Sequence, residues 1–434
     1  MSIAKPYPAR RVALAKAMQR GIAVIPTAPE RARNSDTQYP FRFDSHFYYL
    51  TGFREPESVL VLISGKKPQS ILFCREKDKV REIWDGFRYG PSGARRAFEF
   101  DAAYPIAALD EMLPKLLADQ PVLFYPLGFD PAWDGRIVGW INRVREQVRS
   151  GITAPTDIAD VRVLVDGMRL VKDTYELDAM KLAASISADA HLRAMREARP
   201  GRMEYEIEAE LLHEFRRRGA QAPAYQSIVA GGANACVLHY VENNCKLKAG
   251  DLLLIDAGCE LDGYASDITR TFPVSGKFSP AQKDVYELVL AAQAAAIKAV
   301  RPGASFDNYH QAAVEVLARG LIDFKLCNGS LDKVLESGDY RRFYMHKTGH
   351  WLGLDVHDAG DYRNAGRWRK LAPGMVLTVE PGCYIRPARN VPKAFWNIGI
   401  RIEDDVLVTA AGREVLTGKA PKSVRDIEAA MRPE

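Results

Sequence analysis

The chain has 434 residues, 47% of them hydrophobic and 26% charged, with a formal net charge of +5. That length is too great for one ordinary core, so two domains are expected. The composition is that of a soluble globular protein, no apolar run approaches the roughly 20 residues of a membrane-spanning helix, and nothing in the charge pattern supports nucleic-acid binding as the main function.

Residues 1–40 hold Lys5, Arg10, Arg11, Lys16, Arg20, Arg31 and Arg33 against only Glu30 and Asp36, which accounts for the whole net charge. Such a start can belong to an organellar transit peptide. However, Val12, Leu14, Ala15 and Met18 recur at helical spacing, so we read Ala9–Met18 as a first helix and Ile22–Pro26 as a strand of a folded domain. Ser58–Ser64, Ser70–Cys74 and Pro121–Tyr125 are further apolar runs of strand length, with an amphipathic stretch at Ala107–Ala118 between two of them. This alternation predicts an α/β domain with a mainly parallel sheet over residues 1–170. The segment Arg33–Phe53, dense in aromatic and polar side chains, suits either edge packing or a cleft wall.

A second domain, 171–434, is expected to open at Asp173, which with Glu176 makes a capping box. One helix should run to Arg199 before Pro200-Gly201, and a second from Tyr205 to Arg218 before Gly219. The arrangement recurs: Tyr286-Glu-Leu opens an alanine-rich helix that should stop at Arg301-Pro302-Gly303, and a second helix, Phe306–Arg319, should end at Gly320. Strand-rich blocks, about 224–274 and 343–409, follow each helix pair. We read an internal duplication, two α-then-β halves about a pseudo-twofold axis, with a site drawing residues from both. The six cysteines form no C-x-x-C pair, which fits free thiols in a reducing cytoplasm and argues against a structural zinc site.

The first block carries an apolar strand ending at Asp256, a turn at Asp262-Gly263, and a strand bearing Asp267. Two carboxylates side by side across a ladder repel, so a positive partner is required. The strand-like pieces of the second block hold His346, His350 and His357, then Glu380 at the end of Met375–Val379, then Ile398–Glu403. In that last run the isoleucines alternate with Gly399, Arg401 and Glu403, putting Arg401 and Glu403 on one face. Asp256, Asp267, Glu380 and Glu403 carry four negative charges, and one divalent ion would leave about two uncompensated. Two ions sharing bridging carboxylates, with a hydroxide held between them, balance the set. Oxygen-rich ligation with one histidine favours Mn²⁺, with Co²⁺ or Zn²⁺ possible.

Taken together, Ile255-Asp-Ala-Gly258, Ser266-Asp-Ile-Thr-Arg270, His346-Lys-Thr-Gly-His350, Thr378-Val-Glu-Pro-Gly382 and Gly399-Ile-Arg-Ile-Glu-Asp404 resemble the pita-bread metallopeptidases. Arg33-Asn-Ser-Asp36, Tyr39-Pro-Phe-Arg42, Tyr49-Leu-Thr-Gly-Phe53 and Glu55-Pro resemble the smaller domain of aminopeptidase P. The resemblance spans essentially the whole chain. It implies an α+β pita-bread catalytic domain in which Asp267 and Glu403 bridge two metals, Asp256 completes one, and His350 and Glu380 complete the other. It also implies that His239, His346 and His357 line the substrate cleft. Glu380 would move the proton, and His346 or His357 would donate to the oxyanion or to the proline carbonyl. Arg401 would orient a carboxylate or Tyr384 at the site, and Trp84 of the smaller domain would help close it unless it is a buried packing residue. The region of Asp36 would wall the cleft. The expected activity is removal of the first residue from peptides with proline second, by a homodimer or homotetramer. Prolidase, methionine aminopeptidase and a metal-free binding protein on the same fold are the rival readings.

Overall fold

The computed structural model describes residues 5–432. The chain folds as two compact units, Met1–Arg169 and Leu170–Glu434.

In the first unit, helix Tyr7–Met18 buries Tyr7, Arg10, Arg11, Leu14, Ala15 and Met18, while Val12 is exposed, contrary to the sequence reading. The buried stripe includes two arginines because their guanidinium groups find carbonyls to bond. Arg10 donates to Tyr49 O, and Arg11 donates to Leu50 O and Phe98 O. The basic start is thus part of the folded unit. Strand Ile22–Pro26 lies inside a six-stranded sheet. The sheet is mainly parallel, as expected, with one strand reversed. Strand Val59–Ile63 runs antiparallel to both Ile22–Pro26 and Gln69–Cys74, and the three remaining pairings are parallel. The short 64–68 connection can make only a hairpin, whereas the parallel pairs have helical crossovers. The aromatic-rich segment divides into an exposed hairpin, Ala32–Asn34 with Thr37–Gln38, that has Asp36 at its tip, and the buried helix Ser45–Thr51. Helix Lys79–Asp85 buries none of its residues, and Trp84 is 81% exposed, which rules out the buried packing role.

The second unit repeats a helix pair and a β block. Asp173 caps helix Thr174–Glu197 with Glu176 in a capping box, and Glu204–Arg217 follows. Pro280–Ala299 and Asn308–Asp323 form the second pair. The last helix runs straight through Gly320 and does not stop there. A Cβ at Gly320 would sit 2.3 Å from Leu288 Cδ1, so this glycine allows two helices to approach closely. The first block pairs Leu252–Asp256 with Thr269–Pro273, and Asp256 lies opposite Thr269. Asp267 therefore precedes the strand instead of lying on it, and the Asp262-Gly263 turn closes a separate hairpin, Cys259–Leu261 with Tyr264–Ala265. In the second block, Val376–Val379 pairs with Asp404–Thr409, and Gly382–Ile385 pairs with Ile398–Arg401. His346, His350 and His357 lie on loops, where Trp351 makes a single bridge to Leu377. Both faces of strand Ile398–Arg401 are buried, so Arg401 sits in the interior and not on an open face.

Candidate metal centre

A cavity of about 460 Å³ opens in the second unit, lined by residues of both halves, among them Tyr225, His239, Asp256, Asp267, Glu380 and Glu403. Asp256 arrives at the end of its strand. Asp267 is brought in because Gly258 lets the backbone of Ser266 approach to where a Cβ would be 1.8 Å from its carbonyl. Ligand atoms of Asp267, His350 and Glu403 lie within 4.8 Å of one another. Asp36 and Trp84 belong to the first unit and do not line this cavity.

The donor set fits divalent ions. His350 Nδ1 faces the Trp351 carbonyl at 2.9 Å, so that nitrogen carries the proton. Its Nε2 lone pair then points at Asp267 Oδ2, 3.5 Å away, and Glu380 Oε1, 3.7 Å away. Three acceptors facing each other require a cation between them, and an imidazole fixed through its other nitrogen is the usual metal-binding tautomer. Protonation is the only other remedy, and it is what the local field demands. Although burial opposes a charge on His350, the bond to Asp267 and the Glu380 carboxylate push it up to about 9. Burial raises Glu403 well above the carboxylate range, helped by Asp267, Glu380 and Asp256. Burial likewise raises Asp267, reinforced by Asp256, and lifts Glu380 to about 7. Such crowding of carboxylates is stable only around positive charge.

Arg401 is the organising cation already present. Its Nη2 donates to Asp256 Oδ2 at 2.6 Å, Nη1 to Tyr384 Oη at 3.0 Å, and Nε to Thr269 Oγ1 at 3.1 Å. Thr269 in turn donates to Glu403 Oε2 at 2.7 Å. Burial works to raise Asp256, but the Arg401 charge and the Tyr225 hydroxyl outweigh it and hold this one carboxylate low. Arg401 cancels one of the four negative charges, so two divalent ions leave room for one further anion.

The three remaining histidines differ. His346 faces the Lys347 carbonyl through Nδ1 and the Tyr384 hydroxyl through Nε2, 2.9 Å away. Burial and the Arg401 charge lower it to about 3, so it is neutral and accepts from Tyr384. Its only N–H is engaged, and the expected donation to an oxyanion has no proton available in this arrangement. His357 is exposed, stands edge-on to His350 with centroids 4.3 Å apart, and has no hydrogen-bond partner among the described residues. His239 is exposed and also lines the cavity.

Tyr225 was missed by sequence reasoning. Its hydroxyl bonds Asp256 Oδ1 at 2.7 Å and also Asp267 Oδ1. The dipeptide Tyr225-Gln226 carries no motif, and only the fold brings it between two carboxylates. Asp405 was also missed; its Oδ2 accepts the Asp267 N–H.

Comparison with known proteins agrees with this geometry. Residues 178–410 match metallopeptidase family M24, and residues 7–125 match the aminopeptidase P N-terminal domain. The Xaa-Pro aminopeptidase of Escherichia coli is 44% identical over 425 residues, 97% of this chain and 96% of the relative. That of Haemophilus influenzae is 44% identical over 400 residues, 92% and 90% of the two chains. Aminopeptidase PepP of Pseudomonas aeruginosa superposes with a TM-score of 0.96 at 50% identity, covering 98% of this chain and 97% of that one. The Zn-substituted E. coli aminopeptidase P in complex with product matches at 0.97 and 43% identity over the full length of both. The chain belongs to metallopeptidase family M24, a hydrolase with an aminopeptidase P N-terminal domain joined to a pita-bread catalytic domain.

Proposed function

We propose that this enzyme releases the N-terminal residue of peptides whose second residue is proline, using two divalent ions, Mn²⁺ in the first instance. The observation that carries the reading is the convergence of Asp256, Asp267, His350, Glu380 and Glu403 on one cavity, in a chain whose relatives are Xaa-Pro aminopeptidases. Asp256, Asp267, His350, Glu380 and Glu403 would hold the ions. When bound, the ions supply positive charge that polarises the scissile carbonyl and makes a water nucleophilic near neutral pH.

The protein's own part is proton movement and orientation. Glu380, whose carboxylate lines the cavity beside His350, takes the proton from the attacking water and passes it to the leaving proline nitrogen. His357, with no hydrogen-bond partner among the described residues, donates to the carbonyl oxygen as charge develops there. His239 contacts the substrate from the cavity lining. His346 acts through Tyr384, and Arg401 orients Asp256 and Tyr384. Asp36 and Trp84 remain proposed cleft residues on the strength of the family resemblance. The same reading places the enzyme in the cytoplasm, in keeping with six free cysteines, as a homodimer or tetramer.

A peptide panel tests the activity. Xaa-Pro-Xaa tripeptides should be cleaved at least about tenfold more efficiently than Xaa-Pro dipeptides, a gap of roughly 1.4 kcal/mol, and alanine in place of proline should nearly abolish cleavage. A preference for dipeptides would assign the enzyme to the prolidases, and equal cleavage of Met-Ala peptides to the methionine aminopeptidases.

A further inference from the structure

Lys172 and Asp358 form an ion pair of 2.8 Å with both side chains about 1% exposed. Neither residue lines the cavity. Removing two charges from water costs several kcal/mol per ion, and an apolar pair of similar volume often serves stability as well. The neighbours of the pair suggest what else it does. Asp358 donates its N–H to the Trp351 carbonyl at 2.9 Å, the oxygen that also accepts from His350 Nδ1. Its Oδ1 accepts from the Asp355 N–H at 3.2 Å. Lys172 is itself anchored, its N–H donating to Gly374 O at 2.8 Å.

Gly353 completes the arrangement. A Cβ there would lie 2.3 Å from Asp358 Oδ2 and 3.0 Å from Lys172 Cε, so the pair occupies the space a side chain would need. The Gly353 carbonyl accepts from Ala265 N–H at 2.8 Å, two residues before Asp267. The buried pair therefore packs under Gly353 and fixes, through Asp358 Oδ1, the loop that carries His350 and His357, and Gly353 in turn bonds the segment that carries Asp267.

We propose that Lys172 and Asp358 are positioning residues that hold the 350–358 loop so that His350 Nε2 and the His357 ring face the metal centre. This inference rests on the two-ion centre proposed above. Losing an outer partner of a metal-binding histidine typically costs 10- to 100-fold in affinity or activity. In the chelated full-length protein, Lys172→Met should weaken Mn²⁺ binding, measured by titration calorimetry, by about tenfold. It should also lower kcat on an Xaa-Pro-Xaa peptide by about tenfold, with KM within about threefold. Asp358→Asn, which keeps the shape, should behave alike.

Because either single change leaves a buried charge unpaired, Lys172→Met/Asp358→Leu is the decisive variant. It should recover the parental melting temperature yet keep the weakened Mn²⁺ affinity and lowered kcat, since an apolar pair restores packing but not the bond from Asp355 N–H to Asp358 Oδ1 that fixes the loop. If the double variant, or a well-folded Asp358→Asn, matches the parent within twofold in both readouts, the pair is merely structural and the proposal fails. A parent that itself binds no Mn²⁺ would overturn the proposed Mn²⁺ centre along with this inference.

Discussion

His346 and His357 both border the cavity, and replacing each by alanine should have unequal effects. His346 has its Nδ1–H on the Lys347 carbonyl and its Nε2 accepting from Tyr384. Removing it strands the hydroxyl proton of Tyr384, a side chain only 1% exposed. An unsatisfied buried donor costs about 1–3 kcal/mol, and most of that falls on stability because Tyr384 stays held by Arg401. The expected result for His346→Ala is a lower melting temperature and a kcat reduced by about tenfold or less. His357 gives up no internal bond, so His357→Ala should leave stability nearly unchanged. It should cost about 10²–10³ in kcat, the scale of removing one donor to a developing oxyanion. Both variants should retain the parental metal content, whereas His350→Ala should not. Because burial and Arg401 hold His346 near 3, its removal should also leave the pH–rate profile between pH 5 and 8 unchanged in shape. The measurements are kcat and KM on a proline-second tripeptide, elemental analysis and thermal melts. A His346→Ala loss equal to that of His357→Ala, with stability intact, would refute the assignment of roles.

The metal count offers a second check. Chelated enzyme should be inactive and recover with about two Mn²⁺ per chain, and Asp267→Asn or Glu403→Gln should lose both ions. Full activity with one tightly bound ion by elemental analysis would refute the charge argument. A third concerns acid stability. Burial lowers His191 to about 4, and Nε2 donates to Ala257 O. The unfolded chain therefore binds the proton more readily, so this contribution is full above about pH 6.5 and is lost as pH falls toward 4, about 3 kcal/mol at most. His191→Gln, which can keep the donor, should flatten the fall in melting temperature between pH 7 and 5, and an unchanged fall would count against it. A fourth is Gly320→Ala, which overpacks the contact with Leu288. It should cost about 1–3 kcal/mol of stability in denaturant titration without changing kcat.

The parts legible from sequence were those set by local chemistry. The Asp173–Glu176 capping box, the apolar run ending at Asp256 and the strand at Val376–Val379 follow from residue spacing alone, because capping and strand alternation act over a few residues. The candidate ligands were legible for a related reason: acidic side chains at the ends of apolar strands need a partner, whatever the fold.

What sequence left open, or gave wrongly, depends on what each residue meets across the fold. Gly320 looks like a helix stop, but the Leu288 side chain makes it a close-contact point within a continuous helix. Arg10 and Arg11 look like surface charge, but distant carbonyls bury them. His346 and His357 are equivalent as letters, and only their neighbours divide them, since Tyr384 and the Lys347 carbonyl engage one and leave the other open to substrate. Tyr225 carries no local signal at all, yet its hydroxyl meets two carboxylates supplied 31 and 42 residues further along the chain. A residue's conformational preference is settled within a turn or two. Its protonation state and its partners are settled by burial and by charges brought in from far along the chain, and those exist only once the two halves have packed around a common centre.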